Sequence, residues 1–141
     1  MSISHSDCTV QAPRVALLDD DELVVHTGSD ILKLMSFSTT AFVSADQLSS
    51  RIEQDPSSFD AFVLDWYVGD GTSEAIIRAI RSHSGLSKTP VFVVSGAESV
   101  VESDDPHALN SVARSFGCVT LRKPISWKGL ATTIRNALRG G

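Results

Sequence analysis

The sequence predicts an α/β protein of the (βα)₅ kind, a doubly wound parallel five-stranded sheet with strand order 2-1-3-4-5. Two observations carry that prediction. Short unbroken apolar runs recur along the chain, and the segments between them show helical spacing with recognisable helix start and stop residues. Unbroken runs suit strands buried on both faces, whereas strict alternation suits a sheet wetted on one side. Alternating β and α elements then imply parallel strands joined by helices that cover both faces.

The elements follow in order. Residues 1 to 12 read as a flexible leader and 13 to 141 as one domain. Val15-Ala16-Leu17-Leu18 is the first strand, and Leu23, Thr27, Ile31 and Leu34 fall on one face of the first helix. Thr40-Ala41-Phe42-Val43 is a second, more mixed strand. Ser44-Ala45-Asp46-Gln47 has the form of a capping box, and Leu48 and Ile52 mark the inner face of the helix it opens. Ala61-Phe62-Val63-Leu64 is the third strand, followed by a helix with Ile76, Ile77 and Ile80 inward and Gly85 as its left-handed stop. Val91-Phe92-Val93-Val94 is the fourth strand. After an acidic loop from Glu98 to Asp105, Asp105-Pro106 reads as an N-cap with proline at the first helical position. Gly117 stops that helix, Val119-Thr120-Leu121 is a weaker fifth strand, and Ser126 caps the last helix.

Composition narrows the function. The 141 residues are 42% hydrophobic and 21% charged, the profile of a soluble globular domain. A formal charge of −5 gives no reason to expect a nucleic-acid surface. No apolar run is long enough for a bilayer, and no secretory start is present. Cys8 and Cys118 stand in no metal-ligand or redox spacing, and His5, His26, His83 and His107 are scattered, so reduced thiols in a cytoplasmic protein without zinc are expected.

In open parallel sheets, ligands bind beyond the carboxyl ends of the strands, so what stands there matters most. Strand one runs into Asp19-Asp20-Asp21, strand three into Asp65, strand four into Ser95 and strand five into Arg122-Lys123-Pro124. Each has an ordinary explanation, since polar residues commonly follow buried strands and cap the next helix. The combination of carboxylates, hydroxyl and ammonium on one rim has none. Strands one and three are neighbours about 4.8 Å apart, which crowds Asp19, Asp20 and Asp65. Crowded carboxylates resist ionisation, and a divalent cation removes the conflict. Mg²⁺ fits, because it takes one or two carboxylates, keeps waters and accepts a phosphate oxygen. The set then contains the parts of phosphoryl transfer: a nucleophilic carboxylate, a metal, a hydroxyl and a cation.

From Arg14 to Arg139 the chain resembles the response regulator receiver domains of two-component signalling. The likeness is carried by Val15 to Asp21, by Asp60 to Asp65 with Gly69-Asp70-Gly71, by Val91 to Gly96 and by Lys123-Pro124. It implies a flavodoxin-like fold with Asp65 as phosphoacceptor. It further implies Mg²⁺ held by Asp65, by Asp20 directly, by Asp19 through water and by the main-chain carbonyl of Tyr67. Ser95 and the Gly96 N–H would contact phosphoryl oxygens, Lys123 would pair with their charge, and the Lys123-Pro124 bond would be cis. The implied donor is a sensor histidine kinase or a His-phosphotransfer protein. Output would run through protein contacts on the face of helix four, strand five and helix five, where Arg114, Lys128, Arg135 and Arg139 stand near Glu98, Glu102, Asp104 and Asp105, opposite charges that would support a weak homodimer or a contact with an acidic partner. Three departures stand out. Gly69 occupies a place where many relatives carry proline, Thr120 replaces an aromatic reporter, and the stretch from Ser95 to Lys123 is long. Tyr67 and Ala97 would flank the path of attacking water, and Trp66 would sit beside the metal as an optical probe, with Trp127 farther off.

Two other readings compete. A receiver-like binding module would act without phosphorylation. A phosphohydrolase of the haloacid dehalogenase type would use the D-x-D within Asp19-Asp20-Asp21, but Leu23 stands where Thr or Val usually follows, and Asp65 would have no role. The expected protein is a phosphoacceptor with intrinsic autophosphorylation and autodephosphorylation chemistry rather than a conventional enzyme.

Overall fold

The computed structural model describes residues 11–96 and 103–140. His5, Cys8, most of the leader, Ala97 and Glu98 to Glu102 of the acidic loop lie outside them. Five strands form one sheet: β1 (Arg14–Leu18), β2 (Ser38–Phe42), β3 (Ala61–Asp65), β4 (Val91–Ser95) and β5 (Val119–Arg122). All its pairings are parallel and its order is 2-1-3-4-5. Five helices connect or follow the strands: α1 (Glu22–Leu34), α2 (Ala45–Gln54), α3 (Glu74–Ser82), α4 (Leu109–Phe116) and α5 (Trp127–Gly140).

The inner strands are apolar over Val15–Leu18, 61–64 and 91–94 because each packs a core on both sides. On one face, Phe62, Leu64 and Val93 meet Leu48 and Ile52 of α2, Ile76, Ile77 and Ile80 of α3, and Leu109 and Val112 of α4. On the other, Val15, Leu17, Val63 and Phe92 meet Val25 and Leu32 of α1 and Leu130, Ala131 and Ile134 of α5. Burying one such aliphatic side chain contributes about 1.5–3 kcal/mol. Ser44 caps α2 through the Gln47 N–H at 3.2 Å, and Gly117 ends α4 at φ 65°, both as the sequence predicts.

Three local expectations fail, each for a physical reason. The buried face of α1 is Val25, Gly28, Ser29 and Leu32, while Leu23 and Leu34 are 77% and 86% exposed. Small residues win this face because α5 comes close: a Cβ on Gly28 would stand 2.2 Å from the Trp127 ring. The Ser29 hydroxyl meets that of Thr39 at 2.5 Å, so its polarity is satisfied in the interior. Gly85 lies within a 3₁₀ turn, Ser84–Leu86, without a left-handed backbone, and α3 stops at Ser82. Asp105 accepts from the His107 N–H at 2.9 Å and closes a turn of its own, so α4 begins at Leu109. β5 is an edge strand, and Val119, Thr120 and Arg122 are exposed.

Arg81 at the end of α3 binds that helix to α4 and to the turn before β4. Its guanidinium donates to the carbonyls of Phe116 (2.7 Å), Leu86 (2.8 Å), Thr89 (2.7 Å) and Gly117 (3.3 Å). It therefore satisfies free carbonyls at the end of α4 and in the turn leading to β4. A hydrogen bond to a charged group contributes about 1.5–3 kcal/mol, and the planar fork reaches several acceptors where an ammonium cannot. Arg81→Ala should cost about 2–3 kcal/mol in urea unfolding, and Arg81→Lys should recover less than half of that.

Candidate functional site

β1 and β3 run in register, with Leu18 beside Leu64, so the residues that follow leave the sheet side by side. One carboxylate oxygen from each of Asp19, Asp20 and Asp65 lies within 4.8 Å of the others. Asp19 and Asp65 are each 9% exposed, and Asp20 is on the surface. The third member of the triplet has another task. Asp21 accepts from the N–H groups of Leu23 (3.0 Å) and Val24 (3.3 Å) and caps α1.

Backbone bonds fix this rim. The Asp19 N–H donates to the Phe42 carbonyl at 3.1 Å, and its Oδ1 accepts from the Asp21 N–H at 2.9 Å. The Trp66 N–H donates to the Val94 carbonyl at 2.8 Å, and the Ser73 N–H to the Trp66 carbonyl at 2.8 Å. The Ser73 hydroxyl donates to the carbonyl of Asp65 itself. No local pattern marks this role, since a serine before an amphipathic helix reads as an ordinary cap. Asp20 accepts from the Gly69 N–H at 2.9 Å, across a short hairpin of Tyr67–Val68 with Gly71–Thr72 that the sequence did not suggest.

Lys123 reaches over from the end of β5, with Nζ 3.2 Å from Asp65 Oδ1. One ammonium does not offset three carboxylates. Burial and the neighbouring Asp19 push the Asp65 pKa up to about 6, with Asp20 adding to the rise, although Lys123 pulls the other way. An all-oxygen donor set of this charge suits a hard divalent cation such as Mg²⁺. The residues present fit such an ion, with Asp19, Asp20 and Asp65 as its protein ligands.

The remaining expected residues fall as follows. Ser95 is buried at the end of β4, one position beyond Val94, the register partner of Asp65. Gly96 lines a cavity of about 570 Å³ together with Asp19, Asp65, Lys123 and an apolar wall of Leu17, Val25, Val63, Val94 and Trp127. The Lys123–Pro124 bond is cis. Tyr67, two residues past Asp65, is half exposed, and Ala97 lies outside the described residues. The two tryptophans exchange the roles expected of them. Trp66 is buried in the core with Val68 and Ile76 on the face opposite Val63, whereas Trp127 lines the cavity. Successive side chains on a strand point to opposite faces, so Asp65 and Trp66 part company there. Arg135 donates to the Met35 carbonyl and lies over the Phe37 ring at 4.7 Å.

No family model matches the chain, and no curated protein sequence does. Solved structures do. The response regulator receiver domain protein (CheY-like) of Methanospirillum hungatei JF-1 matches with TM-score 0.75 and 17% identity, over 92% of this chain and 95% of that one. A receiver domain protein of Clostridium thermocellum gives TM-score 0.73 and 17% identity, over 91% and 95%. The beryllofluoride-activated NtrC4 receiver domain dimer gives TM-score 0.70 and 22% identity, over 90% and 97%. The fold is therefore the flavodoxin-like fold of response regulator receiver domains. Among the described residues, no helix is long and apolar enough to cross a membrane.

The raised pKa of Asp65 makes stability depend on pH in the metal-free protein. A carboxyl lifted from its ordinary 3.8 to about 6 holds its proton more tightly in the folded state. Its contribution is fully present below the unfolded value and is lost as pH rises through the folded one. In EDTA, Asp65→Asn should exceed the wild type by about 1–3 kcal/mol near pH 7.5 in urea unfolding, at about 1.4 kcal/mol per pKa unit. The margin should fall to about half near pH 5. Equal stability of the two proteins at both pH values would show that the cluster carries no such strain.

Proposed function

We propose that this chain is a phosphorylation-controlled receiver domain in which Asp65 accepts a phosphoryl group from phosphohistidine on a sensor histidine kinase or His-phosphotransfer protein. The single observation that carries the reading is the rim itself: Asp65 half enclosed between two carboxylates and an ammonium, at the carboxyl end of a central strand. The receiver fold supports it, and one structural neighbour is a receiver activated by beryllofluoride.

An Oδ atom of Asp65 attacks phosphorus while the phosphorus–nitrogen bond to the donor histidine breaks, and the imidazole leaves with the bonding pair. Mg²⁺, held by Asp19, Asp20, Asp65 and the Tyr67 carbonyl, would neutralise charge on the transferring group. Asp65 is the nucleophile in its ionised form, which a cation held beside it would favour, its proton passing to solvent. The Lys123 ammonium, already beside Asp65, is free to follow the new negative charge outward to a phosphoryl oxygen. The Ser95 hydroxyl and the Gly96 N–H supply donors for the other oxygens. Repositioning of Lys123 and Ser95 then alters the surface that a downstream protein reads. The protein acts in the cytoplasm and signals through contacts, a weak homodimer included, rather than by turning over a substrate.

Incubation with acetyl phosphate and Mg²⁺ followed by intact-mass analysis tests this. One acid-labile phosphoryl group per chain is expected on the wild type and none on Asp65→Asn. Label on Asp19 would move the assignment to a dehalogenase-type phosphohydrolase. Absence of label from a chain that binds Mg²⁺ would leave a binding module that works without phosphorylation.

A further inference from the structure

The metal-binding rim contains one ligand that nothing in the core immobilises. Asp19 is buried and tied to the Asp21 N–H, and Asp65 is buried and paired with Lys123, but Asp20 is exposed. Repelled by both neighbours, a free carboxylate there would swing toward water. It is held instead by the Gly69 N–H, 2.9 Å from its Oδ2.

We propose that Gly69 is a positioning residue for the cation site, its N–H orienting the Asp20 carboxylate toward Asp19 and Asp65. Gly69 has φ +60°, a left-handed backbone that glycine adopts freely and asparagine tolerates. Space is not what demands glycine, because a Cβ at this position would meet nothing within 4 Å. The turn geometry is the demand, since it presents the N–H to Asp20. Hairpin pairing of Tyr67 with Thr72 and Val68 with Gly71 holds the turn, and the Ser73 hydroxyl anchors its far end to Asp65. A peptide of fewer than ten residues thus links the acceptor, a carbonyl ligand and the donor that aims Asp20. Supporting contacts of this kind commonly change metal affinity about 10- to 100-fold.

The inference rests on the proposed cation site, and calorimetric titration with Mg²⁺ separates the two. Gly69→Asn keeps the N–H and the left-handed turn, and should bind Mg²⁺ within about 2-fold of the wild type. Gly69→Pro removes both the N–H and the left-handed turn that presents it, since proline fixes φ at about −65°, and should weaken binding about 10-fold or more. The wild-type Gly69 amide should also exchange slowly with deuterated solvent at saturating Mg²⁺, and rapidly in Asp20→Ala. This second measurement stands even if the proline variant does not fold. Binding by Gly69→Pro as tight as the wild type, equal losses in both variants, or an unprotected Gly69 amide in the metal-bound wild type would overturn the positioning role. A wild type that binds no Mg²⁺ would instead remove the cation site on which it rests.

Discussion

Everything at this site follows from crowding like charges. Asp19, Asp20 and Asp65 bring an oxygen each within 4.8 Å of one another, and the ammonium of Lys123 neutralises only part of that charge. A folded chain does not keep such a cluster without compensation, because each carboxylate raises the cost of ionising the others. Asp65 shows the strain by holding its proton up to about pH 6. Two positive charges delivered at one point relieve it, and a phosphoryl group attached to Asp65 would alter it. One electrostatic conflict thus connects the proposed cation site, stability and the proposed phosphoryl chemistry.

The fold exists to keep that conflict in place. A parallel sheet sends its adjacent strands out at the same edge, so neighbours in the sheet become neighbours on the rim. Two separate cores, one per face, fix β1 and β3 from both sides. Asp65 is gripped through its backbone: its carbonyl by the Ser73 hydroxyl, and the next residue by the Val94 carbonyl and the Ser73 N–H. Trp66, turned to the other face, plugs the core just below the hairpin. A rigid acceptor between less constrained Asp20 and Lys123 is what a site needs if it is to admit an ion and a phosphoryl group in turn.

Much of this was legible in the residues themselves. Val15 to Leu18, Ala61 to Leu64 and Val91 to Val94 are apolar without alternation because strands buried on both faces have no wet side. Once those strands are in order, the polar residues that follow them can only share an edge, which is why Asp19, Asp20, Asp65 and Lys123 were found together. What the sequence hid depends on packing. Gly28 and Ser29 are inward because α5 approaches closely, and Leu23 and Leu34 lose their place despite their hydrophobicity. Asp105 makes a turn rather than a cap, because its carboxylate takes the His107 N–H. Gly69 and Ser73 matter through bonds to residues 49 and 8 positions away, which no local pattern records.

The central claim is that the three carboxylates form one divalent-cation site. Anomalous diffraction from a crystal grown with Mn²⁺, an oxygen-seeking ion with a detectable signal, tests it most directly. A single strong peak is expected about 2.1–2.3 Å from carboxylate oxygens of both Asp20 and Asp65. A metal-saturated crystal whose peak lies elsewhere, or that shows none between these residues, would contradict it.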